Sequence, residues 1–348
     1  MRITNNRITR NYLFNANKNL QYYSESSNKL TTGRAFTRVS QNVSGGKKAM
    51  RLRTQLYQNT QYQKNVEQAN EKLTIAEQSL REMSDIITSI QEQAKRGGGV
   101  IDEESKRILA ATVDELKATV LQYSNSTYVD EYVFGGTNAK SAPFTVGENG
   151  EILFNNSVVK DITKTVDGEF VDGDGNTVAF SEKIYIDIGL GMVNLPEGGI
   201  DNNSAYDTSF SGLDCLGFGT SEITYTNNDG VEITEQVSNN IYDIATEISR
   251  ALEAGETQRV SALSDHLSEG HNNLLMNVAD LGVRTQYLER TLTMLKDEEV
   301  NLQTMQTELE GINDTEEIVK MNEYKYAWML TLQFGGNLLP QSLMDFLK

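Results

Sequence analysis

The sequence has few of the residues from which catalytic and metal sites are usually built. Its 348 residues include one cysteine, two histidines and three prolines. The single cysteine, Cys215, excludes an intramolecular disulfide framework and a zinc cluster built on cysteines. We therefore expect the fold to be held together by packing rather than by covalent or metal cross-links.

Long hydrophobic runs are also missing. No stretch approaches the roughly 18 uninterrupted apolar residues of a membrane-spanning helix, and residues 1–7 lack the apolar centre of a secretory signal. We expect no transmembrane helix and no membrane partner. The residues alone leave two locations open, the cytosol and an external site reached without a cleaved signal.

Acidic residues are nearly absent from the first 64 positions. This basic arm carries twelve Lys or Arg and one acid, Glu25, whereas the whole chain has a net charge of −18. A basic arm can bind nucleic acid, but here an acidic remainder is available as its partner. We favour pairing within the protein, or between copies of it, and expect no nucleic-acid partner.

Leucine, by contrast, recurs at every seventh position towards the end of the chain. Such a repeat predicts a long helix that lays one narrow stripe against other helices. The positions four residues after these leucines are partly polar, which favours packing among several helices over a freestanding two-stranded coiled coil. The repeat consists of Leu267, Leu274, Leu281, Leu288, Leu295, Leu302 and Leu309.

A second apolar stripe lies nearer the beginning. It predicts a helix from about Gln55 to Lys95, which can complete a bundle with the leucine helix. The glycines at 97–99 end this helix, and Asp102 can cap a following helix that folds back on it. The stripe is formed by Val66, Ala69, Leu73, Ala76, Leu80, Met83, Ile87, Ile90 and Ala94.

Residues 141–237 have a different character. They contain thirteen of the 27 glycines and alternate apolar with polar residues in the manner of strands. Glu222–Thr226 and Val231–Thr234 flank an Asp-Gly turn, which predicts a hairpin. Asn149-Gly150 predicts a second turn, and Lys183–Ile188 predicts a further strand. The fold class is therefore mostly α, with a β-rich domain inserted between the two parts of a long antiparallel helical bundle.

These patterns predict five segments along the chain. Breaks are expected at 31–33 and 44–46, and Gly335-Gly336 are expected to end the last helix. Isolated helices as short as the terminal ones are marginal in water, so we predict that they become ordered on assembly. The segments are an N-terminal assembly helix (1–45), the two bundle parts (46–140 and 238–312), the β insert (141–237) and a C-terminal assembly helix (313–348).

Two glycine-rich segments resemble ligand loops but fail on spacing. Gly45–Lys48 lacks the first glycine and the Ser/Thr of a phosphate-binding loop. The segment around Asp172 and Asp174 resembles a calcium loop, yet its sixth and twelfth positions are Thr177 and Lys183, where such loops require glycine and glutamate. We favour a turn in each place and expect no bound metal.

The histidines and the cysteine have no recognisable catalytic context. His266 and His271 are five residues apart, which is not the i, i+4 spacing that places two ligands on one helical face. We expect both to lie on the surface of a helix, and Cys215 to be a small buried hydrophobe. We therefore expect no enzymatic activity and no cofactor.

Short motifs occur in order along the chain. They are Met1–Thr4, Leu30–Arg34 (LTTGR), Tyr132–Thr137 (YVFGGT) with Pro143-Phe144, Leu281–Glu289 (LGVRTQYLE) and Ser342–Leu347 (SLMDFL). Together they resemble the bacterial flagellin superfamily, and within it the hook–filament junction proteins, or flagellin-type hook-associated proteins. The resemblance covers about residues 1–155 and 265–348 and leaves most of the insert unmatched. Ser40–Gly45 departs from the family pattern, because it lacks the family's acidic pair and proline.

This resemblance implies a structural role in motility. Such proteins are exported unfolded through the flagellar type III channel without a cleaved signal. They form a short ring of subunits outside the cell, between hook and filament. The implied partners are other copies of the chain, the other hook-associated junction protein, flagellin and an export chaperone. Both chain ends are then innermost in the tube wall, and the insert faces outward.

Two alternatives remain open at this point. The chain could be flagellin itself, the subunit of the filament. An alternative of another class is an extracellular glycan-binding or hydrolytic protein that uses the β insert. We expect packing and assembly to depend on the following apolar side chains: Leu73, Leu80, Ile87, Leu281, Leu288, Leu295, Leu302, Trp328, Leu343 and Phe346.

Overall fold

In the computed structural model the chain forms two compact units. Unit 1 comprises Met1–Thr60 and Lys296–Lys348, and unit 2 comprises Gln61–Leu295. Helix accounts for 64% of the residues that the structure describes. The structure describes residues 2–99, 102–136, 138–148, 150–166, 169–179, 183–196, 199–201, 204–227 and 230–338.

The helices confirm the predicted mostly α class. In chain order they are α1 (Arg2–Thr32), α2 (Val43–Gly97), α3 (Glu103–Ser124), α4 (Gly212–Leu216), α5 (Ile241–Ala254), α6 (Thr257–Glu310) and α7 (Asp314–Leu338).

The β-rich insert is also confirmed and consists of small antiparallel sheets. Its pairings are β3–β4–β5, β6–β7–β8, β9–β10 and β11–β12, and one further pair, β1–β2, lies before residue 141. The strands are β1 (Thr127–Tyr128), β2 (Glu131–Tyr132), β3 (Phe144–Val146), β4 (Ile152–Phe154), β5 (Ser157–Val158), β6 (Thr163–Lys164), β7 (Phe170–Val171), β8 (Thr177–Ala179), β9 (Tyr185–Ile186), β10 (Tyr206–Asp207), β11 (Thr220–Thr226) and β12 (Glu232–Ser238).

In unit 1 the break between the first two helices differs from the predicted one. Helix α2 begins at Val43, because the Asn42 carboxamide oxygen accepts the Gly45 N–H at 2.8 Å and so starts the helix. A Cβ at Gly45 would lie 3.0 Å from the Phe36 ring. The two glycines at 45–46 thus allow close packing of the preceding loop and do not form a break.

The end of the last described helix was also predicted wrongly. Helix α7 continues through Gly335-Gly336 to Leu338. A side chain at Gly335 would collide with the Tyr12 hydroxyl of α1. This glycine therefore permits a close approach of two helices, a role that sequence alone does not separate from that of a helix end.

Unit 2 is organised around an antiparallel seam between α2 and α6. Its leucines and the α2 stripe share one hydrophobic cluster, in which Leu80 and Leu281 are fully buried. Side-chain hydrogen bonds along the seam pair positions whose numbers rise on one helix as they fall on the other. The pairs are Gln91 with Ser268, Ser84 with His271, Thr285 with Glu77, and Gln63 with the main chain of Leu295.

Capping residues bound the shorter helices of unit 2, and the cap predicted at Asp102 is present. The Asp102 carboxylate accepts the Ser105 N–H at the start of α3. Helix α5 ends at Gly255, whose φ of +75° is the left-handed conformation typical of a helix end. Helix α3 packs mainly on α5, where the Ser249 hydroxyl donates to the Ala110 carbonyl at 3.3 Å.

The strands of the insert match the prediction in part. The predicted β11–β12 hairpin is present, with Thr224 opposite Thr234, while Asp229 of the predicted turn lies outside the described residues. The strand expected over 183–188 is shorter, because only Tyr185 and Ile186 pair with β10. The turn before β4 forms at Gly150, while Asn149 lies outside the described residues.

The seam makes a prediction about stability. Leu288→Ala should lower the free energy of unfolding by about 2–5 kcal/mol, because Leu288 is fully buried and its loss leaves a cavity. Met294→Ala is the matched control, since Met294 is 58% exposed on the same helix. Urea unfolding followed by far-ultraviolet circular dichroism measures both, and equal losses in the two variants would contradict the seam.

Candidate assembly surface

The first feature of unit 1 is the pairing of its terminal helices, α1 and α7, which we call the terminal helix pair. Tyr23 and Trp328 stack with ring centroids 6.0 Å apart and planes inclined by 4°. The Tyr12 hydroxyl donates to the Thr331 carbonyl at 2.9 Å, and the Asn19 amide donates to the Thr331 hydroxyl at 2.8 Å. Helices α1 and α7 therefore meet in antiparallel contact.

A buried carboxylate fixes the register of this pair. Glu317 is 7% exposed and accepts the Ser26 hydroxyl at 2.7 Å. Lys29 lies 3.9 Å from the same carboxylate oxygen. Because a buried acid needs partners, this contact favours one alignment of α1 on α7 over its neighbours by one turn.

A second buried carboxylate joins the connecting segments of unit 1. Glu310, 5% exposed, accepts from Arg53 Nη2 through both oxygens at 2.8 Å. Arg34 Nε lies 3.8 Å from the carboxylate, and the Glu310 carbonyl accepts the Ala35 N–H at 2.7 Å. We call Arg34, Arg53 and Glu310 the Glu310 joint; it ties the loop after α1 and the start of α2 to the end of α6.

The basic arm thus finds acidic partners within unit 1. Lys29 pairs with Glu317 of α7, and Arg34 and Arg53 pair with Glu310 of α6. These contacts are of the kind expected from the uneven charge of the sequence. Whether the arm also binds nucleic acid is not tested by them, and the absence of such a partner stays a prediction.

The terminal helix pair leaves many large apolar side chains uncovered. Soluble monomers rarely expose extensive apolar patches, and such patches mark interaction surfaces. We call these residues the assembly surface. On α1 they are Ile8, Leu13, Phe14, Leu20 and Tyr22, and on α7 they are Ile318, Val319, Tyr326, Met329, Leu332 and Phe334.

A groove adds to the exposed surface of unit 1. It lies between the start of α2 and the end of α6 and has a volume of about 470 Å³. Leu52, Met305 and Leu309 supply its apolar lining, and Lys48 and Glu308 its charged rim.

The predicted packing residues fall into three groups. Leu73, Leu80, Ile87, Leu281, Leu288 and Leu295 are buried in the cluster of unit 2. In unit 1, Leu302 is 8% exposed and Trp328 is half-buried against Tyr23. Leu343 and Phe346 lie outside the described residues. The roles of all ten residues in assembly remain predictions.

In unit 2 the segment Leu281–Glu289 holds the insert against α6. Arg284 donates to the Ser209 carbonyl at 3.1 Å and pairs with Asp280 at 2.7 Å. Tyr206 of β10 stacks on Tyr287 at 5.2 Å, and burial raises the pKa of Tyr206 to about 12. The heptad pattern did not predict that Arg284 and Tyr287 contact the insert, because neither residue belongs to the leucine repeat.

The structure corrects the expected position of one histidine. His266 is 9% exposed and therefore buried, because it lies on the side of α6 that faces β11. His271 is half-buried, and its Nε2 lies 2.8 Å from the Ser84 hydroxyl; burial lowers its pKa. The expectation that both lie on the helix surface was wrong.

Cys215 and the Asp172 turn occupy structural positions. Cys215 is fully buried, and burial raises the pKa of its thiol, which opposes nucleophilic use. Asp172 accepts the N–H groups of Asp174 and Asn176 in the turn between β7 and β8. Among the described residues, no group of three or more His, Cys, Asp or Glu is placed to hold a metal ion. In the same residues no helix is both long and apolar enough to cross a bilayer.

The architecture defines a class of protein, a helical bundle with paired chain ends and an inserted β domain. Residues 3–139 match the family described as the bacterial flagellin N-terminal helical region. The resemblance to the bacterial flagellin superfamily, and within it to the flagellin-type hook-associated proteins, is confirmed.

Two relatives illustrate this resemblance. The chain is similar to flagellar hook-associated protein 3 of Salmonella typhimurium, with 24% identity over 189 residues, which are 53% of this chain and 57% of the relative. The match therefore spans less than two thirds of that relative. A solved structure from Vibrio parahaemolyticus, named as a flagellar hook-associated protein, covers 78% of this chain and 100% of its own at a TM-score of 0.57. The identity is 13%, so this likeness, which rests on the TM-score, establishes a shared fold alone.

The Glu310 joint makes a prediction for unit 1. Glu310→Gln should lower the free energy of unfolding by about 1–2 kcal/mol, because charge-assisted hydrogen bonds to a buried carboxylate are lost while Arg53 is half-exposed. Trp328 is the single tryptophan and reports on unit 1 by fluorescence during urea unfolding. Glu308→Gln, on the exposed side of the same helix, should have no measurable effect. Equal midpoints for wild type and Glu310→Gln would show that the joint contributes nothing.

Proposed function

We propose that this chain is a structural component of the bacterial flagellum that joins the hook to the filament as a ring of subunits. The observation that carries the proposal is the assembly surface. Phe14 is 68% exposed, Tyr326 65% and Phe334 61%, on helices whose register is fixed by buried polar contacts. A surface of this kind in a folded chain requires partners to cover it.

Sequence similarity supports a choice of partners. The matched family and the Salmonella relative are flagellar, and the relative is a hook-associated protein. By that similarity the partners of this chain are other copies of itself, the other hook-associated junction protein and flagellin. An export chaperone for the type III route, and a location outside the cell at the junction, belong to the same proposal.

The five segments acquire roles in this proposal. Segments 1–45 and 313–348 supply the inner packing of the ring, and segments 46–140 and 238–312 supply its bundle layer. The insert, 141–237, faces outward. The chain needs no catalytic group or cofactor for this function, because its work is done by the free energy of packing between subunits.

Immunogold labelling of intact flagella tests the proposed function against the flagellin alternative. We expect one band at the end of the hook and no long filaments from the purified chain. Phe334→Ser should remove the band, because it deletes an exposed apolar contact without touching the interior of the fold. Val283→Ser, which changes a residue that is 67% exposed on α6 of unit 2, should keep it. Label along the whole filament would identify the chain as the filament subunit instead.

Assembly should also stabilise the terminal helices α1 and α7. Few buried apolar residues hold α1 and α7 together, so we expect their amides to exchange rapidly in the monomer and slowly after assembly. Hydrogen exchange with mass spectrometry compares segments 5–30 and 316–333 with segment 66–94, which lines the unit 2 cluster. Strong protection of the terminal segments in the monomer would show that they fold without partners.

A further inference from the structure

The hairpin β11–β12 in unit 2 has a free outer edge. Its register is fixed at both ends, where the Asn227 N–H donates to the Val231 carbonyl at 2.8 Å and the Asn239 N–H donates to the Gly219 carbonyl at 2.9 Å. In an antiparallel pair, hydrogen-bonded positions alternate with positions whose main-chain groups point away from the partner strand. The odd-numbered residues of β11 therefore pair with β12, and the even-numbered ones face outward.

The outward residues are available for pairing. They are Thr220, Glu222, Thr224 and Thr226, whose side chains are exposed. Within the part of the chain that the structure describes, no hydrogen bond is found to their main-chain N–H or C=O groups. An unpaired strand edge of this length is a template for another strand.

A groove of about 350 Å³ runs along this edge and has α6 as its other wall. The helix contributes residues spaced three or four apart, which places them on one face. They are Gln258, Ser261, Ala262, Asp265, His266 and Glu269.

The groove is acidic. Glu222, Asp265 and Glu269 line it, and none of its described lining residues is Lys or Arg. His266 adds a buried polar atom, because its Nε2 is enclosed and has no hydrogen-bond partner among the described residues. Its Nδ1 lies 3.5 Å from the Glu269 carboxylate. A polar atom enclosed beside a groove is satisfied when a ligand group reaches it.

We propose that the β11 edge binds an extended, basic peptide segment of a partner protein as an added strand. Main-chain hydrogen bonds from Glu222, Thr224 and Thr226 hold the segment, and every second side chain faces α6. Lysine or arginine at those positions meets Asp265 and Glu269. A second copy of β11 fits less well, because it would place another Glu222 beside these acids.

The first test separates the strand edge from the side chains. A fluorescent octapeptide alternating lysine and threonine is titrated into the full chain, with anisotropy as the readout. Thr224→Pro should weaken binding by about tenfold or more, because proline removes the outward N–H at an edge position that tolerates it. Thr224→Ala, which loses the same hydroxyl but keeps the N–H, should change the affinity by about twofold or less. Circular dichroism checks that both variants keep the fold.

The second test addresses charge and does not depend on proline. The double variant Asp265→Asn with Glu269→Gln should weaken the lysine peptide by about tenfold, whereas Glu253→Gln, an exposed acid of α5 outside the groove, should not. A peptide alternating glutamate and threonine should not bind. The proposal is overturned if the lysine peptide fails to bind, if both peptides bind equally, or if Thr224→Pro binds like wild type. It is also overturned if sedimentation shows a dimer of the chain that Thr224→Pro abolishes, since a second copy would then be the occupant.

Discussion

The antiparallel seam between α2 and α6 is the interaction on which the structure of unit 2 depends. The two helices of the seam are separated in sequence by the whole β insert. Neither helix can therefore bury its apolar stripe until the other helix has formed. The polar pairs that flank the stripe, such as Ser84 with His271, allow one alignment. The same alignment places the end of α2 beside the start of α6, where a Cβ at Gly98 would lie 4.0 Å from the Thr257 carbonyl oxygen.

Unit 1 is stabilised in a different way. Its terminal helices meet through rings, hydroxyls and the buried carboxylate of Glu317, while much of their apolar surface remains exposed. A second buried carboxylate, Glu310, joins the end of α6 to Arg34 and Arg53. Polar contacts of this kind specify alignment more than they add stability. A surface that is aligned but not covered is suited to packing between copies of the chain, and this is why we place the function in assembly and not in a catalytic site.

The sequence was sufficient for the features that rest on periodicity and local capping. The leucine repeat, the cap at Asp102 and the hairpin of β11–β12 all have signals confined to a few neighbouring positions. Features that depend on distant contacts were missed. Gly45 and Gly335 were taken as breaks because their need for space comes from Phe36 and Tyr12, which sequence does not place beside them. His266 was placed on the surface because β11, which covers it, belongs to the insert. Asn42, three residues before Gly45, was the signal that could have located the start of α2.

The central claim is that the seam forms within one chain and not between two. The most direct measurement is cross-linking of Ser84→Cys with His271→Cys by a short bismaleimide at low protein concentration, followed by mass spectrometry; the native Cys215 is buried. Ser84→Cys with Met276→Cys is the control, because Met276 is 65% exposed and not on the seam. We predict an internally cross-linked monomer for the first pair and not for the second. A covalent dimer from the first pair, or equal cross-linking of both pairs, would contradict the account.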